Sequence, residues 1–176
     1  ALITSELKVE VNLIEKLCAP YGLVRTGVAP DHPLIKKSIE KFAVMAEPEE
    51  FNYFGNVAVG KDITVDQLKE SHHAVIITMG AETDRKLGIP GEDLKGSHTA
   101  TEFVAWYNGH PEYREREFDL SHETAVIIGQ GNVAADVARI LSKTVDELKC
   151  TDISQHALDV LEDSKVKNIY VVGRRG

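Results

Sequence analysis

Residues 125–141 read AVIIGQGNVAADVARIL, and this stretch decides the fold. Ala125-Val126-Ile127-Ile128 has the short, continuous apolar character of a buried strand. Gly129-Gln130-Gly131-Asn132-Val133-Ala134 follows in the form GxGxxA. In such a turn the first glycine permits the bend from strand to helix. The second lets a diphosphate approach the backbone, and the third small residue lets the helix pack on the strand. Val133, Val137 and Leu141, with Ala134 and Ala138 beside them, then mark one face of a helix. The start of that helix offers unpaired N–H groups and about half a positive charge to an anion. A glycine turn alone is a weak signal, since a turn of the same form also serves a purely structural bend. The strand before it and the helix after it favour nucleotide binding.

The residues after the next strand bear on which nucleotide. Ile169-Tyr170-Val171-Val172 reads as that strand and ends at Gly173-Arg174-Arg175-Gly176. An acid in this position takes the ribose hydroxyls of NAD, whereas arginine takes the additional phosphate of NADP. A charge-assisted hydrogen bond contributes about 1.5–3 kcal/mol, so one or two favour NADPH over NADH by roughly tenfold to several-hundredfold. Two solvated surface arginines are the plain alternative. The interval from the turn exceeds the usual ~20 residues. An acidic, helical stretch from Val145 to Glu162 is expected to account for the excess.

Upstream, Val9, Val11 and Leu13 alternate with polar residues and predict a strand ending near Ile14. Glu15 closes it, where an acid either meets a ribose or is simply solvated. Pro20, Gly22, Gly27 and Pro30 predict an irregular loop. Asp31-His32-Pro33 predicts a helix start, with Ile35, Ser38, Ile39, Phe42 and Met45 at helical spacing after it. Phe51–Val59 predicts an extended stretch. Ala74-Val75-Ile76-Ile77-Thr78-Met79 predicts a strand buried on both faces. The segment 83–96, rich in charge, Gly and Pro, predicts a domain crossing. Thr101–Tyr107 predicts a short helix carrying Phe103, Trp106 and Tyr107, and residues 108–121 a loop. Strands separated by helices predict an α/β fold with parallel sheets, as parts of two nested Rossmann-like dinucleotide-binding domains. Their expected extents are 1–83 and 84–176.

Composition limits the remaining function classes. The 176 residues carry a formal net charge of -8, so no chain-wide basic field for nucleic acid exists. No apolar run approaches the ~20 residues that span a bilayer, and peripheral membrane association is not legible in the sequence. Two cysteines, Cys18 and Cys150, exclude a CxxC redox pair and a four-cysteine zinc site. They read as two buried or partly buried thiols, and no metal ligands are assigned.

Further motifs carry a family resemblance. Tyr21-Gly22-Leu23-Val24-Arg25 and Gly27-Val28-Ala29-Pro30-Asp31-His32-Pro33 form one pair. Phe54-Gly55-Asn56-Val57, Ile89-Pro90-Gly91-Glu92 and Phe103-Val104-Ala105-Trp106-Tyr107-Asn108 follow. Together with the glycine turn, Asp136–Leu141 and the Gly173–Gly176 end, they run through the whole chain. The chain thereby resembles the adrenodoxin reductase family, the NADPH–ferredoxin reductases of mitochondria and some bacteria. The resemblance implies one FAD and one NADPH domain, with electrons passing from NADPH through flavin to an adrenodoxin- or ferredoxin-type iron–sulfur protein. It implies that Glu15 binds the FAD ribose, Leu23 the FAD phosphate region and Val59 the adenine edge. It places Gln130, Gly131, Asn132 and Val133 along the NADP diphosphate, with Gly129 and Ala134 shaping the turn. Arg174 and Arg175 fall on its 2′-phosphate. It puts His32 near flavin and nicotinamide, orienting or tuning rather than attacking. The alternative is a histidine held structurally at a helix start.

Measured against the family pattern, the first FAD strand and its glycine turn are expected before Ala1, and the closing segments after Gly176. A segment of this extent is expected neither to hold FAD tightly nor to turn over alone. The basic patch that docks an acidic iron–sulfur protein is expected outside it. The resemblance also implies the mitochondrial matrix, or alternatively the bacterial cytoplasm. A glutamate-synthase-type NADPH-oxidising module is the nearest rival, and the Gly27–Pro33 loop argues against it. A non-catalytic NADP-binding sensor is the other, and it has no need of a flavin-side loop.

Overall fold

The computed structural model describes residues 8–81 and 83–174. In chain order the elements are β1 (Val11–Ile14), α1 (Gly22–Thr26), α2 (Pro33–Lys36), α3 (Ser38–Met45), β2 (Phe51–Phe54), α4 (Val65–Ser71), α5 (Ala100–Tyr107), β3 (Thr124–Ile128), α6 (Asn132–Ser142), α7 (Val145–Leu148), α8 (Gln155–Glu162) and β4 (Asn168–Val172). They divide into two compact units. One comprises Ala1–Gly22 with Lys37–Glu82, the other Leu23–Lys36 with Thr83–Gly176. The mixed α/β architecture with parallel strands agrees with the sequence reading.

In the first unit β1 pairs in parallel with β2, Val11 opposite Phe51 through Ile14 opposite Phe54. Parallel strands need a crossover, and α3 lies within it. Beyond the ladder, the Glu15 N–H donates to the Phe54 carbonyl at 2.9 Å and the Val57 N–H to the Glu15 carbonyl at 3.0 Å. Across the strands, Asn52 Nδ2 donates to Asn12 Oδ1 at 3.0 Å, and Asn12 Nδ2 lies 3.0 Å from His72 Nε2. The amide can only donate there, and the other ring nitrogen, Nδ1, lies 3.0 Å from the Leu68 carbonyl. This line of polar groups ties the strand pair to the end of α4.

The second unit holds the core. Phe103, Val104, Trp106 and Tyr107 of α5 pack with Val137 and Ile140 of α6, Leu148 of α7, Ile153, and Ala157, Leu158 and Leu161 of α8. Each such side chain contributes about 1.5–3 kcal/mol on burial. Phe118, from the loop after α5, closes the aromatic cluster at 5.0 Å from Phe103 and 4.9 Å from Trp106. β3 and β4 pair in parallel, Thr124 opposite Asn168 through Ile128 opposite Val172. Three helices begin with a reciprocal cap. Thr64 and Gln67, Thr99 and Glu102, and Thr144 and Glu147 each satisfy the other's backbone N–H. Such caps contribute about 1 kcal/mol each.

Several expectations need correction. Residues 74–79 form no ladder, and Ile76, Ile77 and Met79 are exposed. A buried strand requires neighbours for its backbone groups, and none of the described strands pairs with this run. β3 is half-buried on alternate residues only, Ala125 and Ile127, with Val126 and Ile128 exposed, because α6 covers a single face. On α6 the buried residues are Ala134, Val137 and Ile140, while Val133 is exposed. The expected loop at 20–30 contains the helical turn α1. Both cysteines are exposed. Among the described residues no helix is long and apolar enough to cross a membrane.

Candidate functional site

The turn between β3 and α6 has the geometry its glycines require. Gly129 has φ +132°, a conformation that side chains other than glycine's rarely adopt. Its N–H donates to the Val172 carbonyl at 2.8 Å, which ties the turn to the end of β4. A Cβ at Gly129 would stand 4.0 Å from the Ala134 Cβ, in ordinary contact. The helix therefore packs on the strand through its smallest side chain. Gly131 is the N-cap of α6 with φ −83° and ψ 177°, and no side chain caps that end. A Cβ at Gly131 would meet nothing within 4 Å. The first hydrogen bond of α6 runs from the Ala135 N–H to the Gly131 carbonyl, so the amides of Asn132, Val133 and Ala134 precede the ladder. An open, uncapped helix start with backbone donors is the form a diphosphate fits.

The sequence reading missed one partner of this turn. A Cβ at Gly173 would lie 2.2 Å from Gln130 Cδ and 2.6 Å from its Nε2. The Gln130 amide thus rests on the backbone just after β4, and a side chain at 173 would have to push it aside. Arg174 follows, exposed and next to that contact. Arg175 lies outside the described residues.

A second constellation joins the loop before α2 to α6. Asp31 takes a two-pronged ion pair from Arg139, Nε to Oδ2 at 2.5 Å and Nη2 to Oδ1 at 2.7 Å. Lys143 Nζ reaches Asp31 Oδ2 at 2.6 Å. The Asp31 side chain is only 5% exposed. The Arg139 hydrogen bond, reinforced by Lys143, holds its carboxyl far below the usual carboxylate range despite the opposing effect of burial. His32 Nε2 sits 3.2 Å from Asp136 Oδ1 and 2.8 Å from Arg139 Nη2. The structure thus brings His32 to α6, onto the turn that follows the nucleotide-type bend. Tyr107 is fully buried nearby in the same unit, and burial, with the charges of Asp136 and Asp31, pushes its hydroxyl upward. Lys36 anchors the end of α2 through Asp152 at 2.7 Å and Asn108 at 3.2 Å.

The residues expected on the FAD side are arranged as follows. Glu15 stands at the exit of β1, half-buried, and its Oε1 accepts from the Leu17 N–H at 3.1 Å. No partner of Oε2 occurs among the described residues, which leaves an acceptor free for a hydroxyl group. Val59 is exposed and bridges to Ile63. Leu23 is exposed on α1, and its carbonyl accepts from Gly27 and Val28 at 2.8 Å each. Glu92 receives the N–H groups of Leu87 at 2.6 Å and Gly88 at 2.8 Å, which lower its carboxyl from the ordinary value.

No family model matches the chain. Its sequence is 54% identical over 175 residues to the mitochondrial NADPH:adrenodoxin oxidoreductase of Salvelinus fontinalis, covering 99% of this chain and 35% of that protein. It is 51% identical over 173 residues to the NADPH-ferredoxin reductase FprA of Mycobacterium leprae, covering 98% of this chain and 38% of the relative. Among solved structures, FprA of Mycobacterium tuberculosis in complex with NADPH superimposes with a TM-score of 0.95 at 49% identity. That match covers 100% of this chain and 39% of the other. By sequence and fold the chain is similar to a segment of adrenodoxin reductase-type proteins. It spans little more than a third of the length of the relatives it matches.

Proposed function

We propose that this chain forms part of an FAD-containing oxidoreductase that passes electrons from NADPH through flavin to a small adrenodoxin- or ferredoxin-type iron–sulfur protein. The observation that carries the proposal is the open helix start at Gly131, with the Gln130–Gly173 contact and Arg174 beside it. Residues 84–176 supply the NADP side. Gly129, Gln130, Gly131, Asn132, Val133 and Ala134 hold the diphosphate, and Arg174 and Arg175 hold the 2′-phosphate. Residues 1–83 supply part of the FAD side. Glu15 accepts from the ribose, and Leu23 and Val59 contribute backbone groups. When bound, NADPH supplies a hydride and the flavin releases electrons singly. The protein's own task is to align the rings, and His32 does so from its anchored position.

The reductase names of relatives matched along nearly the whole chain disfavour a glutamate-synthase-type module and a non-catalytic sensor. We place the protein in the mitochondrial matrix, with the bacterial cytoplasm as the alternative, since relatives of both origins match.

Two measurements test this reading. Replacing Arg174 and Arg175 by alanine is expected to weaken NADPH by roughly tenfold to several-hundredfold, the scale of one or two charge-assisted hydrogen bonds. NADH affinity should stay within about twofold on the same scale, because it lacks the phosphate. Equal losses for both nucleotides would remove the arginines from the site. Replacing His32 by alanine in the complete enzyme is expected to slow reduction of the bound flavin by NADPH in stopped-flow absorbance. An unchanged rate would end the role given to His32.

A further inference from the structure

Arg139 does more than pair with Asp31. Its Nη2 lies 2.7 Å from Asp31 Oδ1, 2.9 Å from Asp136 Oδ1 and 2.8 Å from His32 Nε2. A guanidinium nitrogen has hydrogens to give and no lone pair to receive. At 2.8 Å, therefore, His32 Nε2 can only be the acceptor. One Nη2 hydrogen goes to Asp31, and the other is shared between Asp136 and His32, whose polar atoms are 3.2 Å apart.

Asp136 alone would favour the opposite arrangement, a proton on Nε2 donated to its carboxylate. That proton would point at the guanidinium hydrogens, and Asp136 is already satisfied by the closer Arg139. The tautomer of a neutral histidine follows the stronger bond made at one nitrogen. The proton thus belongs on Nδ1. Among the described residues Nδ1 has no partner, and the His32 side chain is 37% exposed. Lys143 holds Asp31 from its other side at 2.6 Å and makes no bond to His32, so it steadies the clamp without touching the ring.

We propose that Arg139 is a positioning residue that holds neutral His32 in its Nδ1–H form. This makes the outward nitrogen a hydrogen-bond donor, suited to a carbonyl oxygen of a redox ring or a carboxamide. The donor's use in the reaction rests on the flavin and nicotinamide reading of this loop, whereas the tautomer does not.

Long-range proton–nitrogen NMR of protein labelled with 15N-histidine, recorded at a pH where the imidazole is neutral, reads the tautomer directly. In the unsubstituted protein Nδ1 is expected to be the protonated nitrogen of His32. A proton on Nε2 overturns the proposal without any variant. Arg139→Leu is expected to move the proton to Nε2, where Asp136 accepts it, and Lys143→Leu is expected to leave it on Nδ1. An unmoved proton in folded Arg139→Leu also overturns the proposal, and if that variant does not fold, the unsubstituted spectrum still decides. In the complete flavoprotein that contains this segment, Arg139→Leu is expected to slow NADPH-driven flavin reduction by roughly tenfold or more through lost alignment, with NADP+ affinity unchanged in calorimetry. If the tautomer moves and the rate does not, the positioning role falls while the tautomer stands. If the complete protein that contains this segment holds no flavin at all, the proposed function fails and the NMR result is unaffected.

Discussion

Gly131→Ala is expected to fold like the parent protein and to lose NADP+ affinity by at least tenfold, whereas Gly129→Ala is expected to lose both stability and affinity. The two glycines stand two residues apart and do different things. At Gly131 the backbone is extended, with φ −83° and ψ 177°, so alanine fits without strain, and its methyl group enters open space. The folding cost is that of a poorer N-cap, a few tenths of a kcal/mol up to about 1. The methyl then occupies the side from which a diphosphate reaches the Asn132–Ala134 amides. A tenfold loss corresponds to about 1.4 kcal/mol, a modest demand for moving an anion away from several N–H groups. At Gly129 the fault lies in the backbone, because φ +132° costs an alanine about 1–3 kcal/mol. Relaxing that strain turns the peptide whose N–H reaches the Val172 carbonyl. Thermal melts and calorimetric titration with NADP+ separate the cases. A Gly131→Ala protein that binds NADP+ normally would show that the diphosphate does not pass this residue.

Asp31→Asn is expected to destabilise the second unit by about 2–3 kcal/mol at neutral pH, and the difference should shrink in acid. Breaking a buried ion pair by removing one partner costs about 3–5 kcal/mol. Asp31 is nearly buried, but Arg139 and Lys143 are 31% and 27% exposed, which lets water take up part of their charge and sets the lower figure. The direction with pH follows from the depressed carboxyl of Asp31. Its contribution is complete above the ordinary carboxylate value near 3.8 and is lost as the pH falls through the lowered folded value. Urea midpoints for the parent and the variant should therefore lie far apart at pH 7 and converge below about pH 4. A gap of constant size across that range would mean that Asp31 stabilises by shape, not charge.

How much of this was legible before any coordinates depended on the range of each interaction. The unit from β3 through α6 to β4 was readable because an apolar run, a glycine turn and a 3.6-residue periodicity agree in one window. The helix at α5 was legible from Phe103, Trp106 and Tyr107, although its start at the Thr99–Glu102 cap was not. Residues 74–79 misled because an apolar run states only that a strand is suitable, not that a partner is at hand. Val133 misled because at the first turn of α6 the buried face follows Ala134, Val137 and Ile140. His32, Glu15 and Arg174 were selected by their local setting and by family resemblance. Asp136, Arg139 and Lys143 were not selected, although Asp136 and Arg139 have the spacing of neighbours on a helix. Their partner Asp31 lies 108 residues from Arg139, and no local pattern reports a bond of that span. Gln130 was picked as part of the turn, but its contact with Gly173 became visible only when the two strand ends met.

The register of β3 and β4 bears on how such a protein can change over time. Ile128 stands opposite Val172, and the Gly129 amide is fastened to the Val172 carbonyl, so the turn and the residues after β4 stand level. Everything between them, including α7 and α8, packs against α5 and α6 and leaves that alignment alone. The number of residues from turn to arginine is therefore a poor clock for the distance between them.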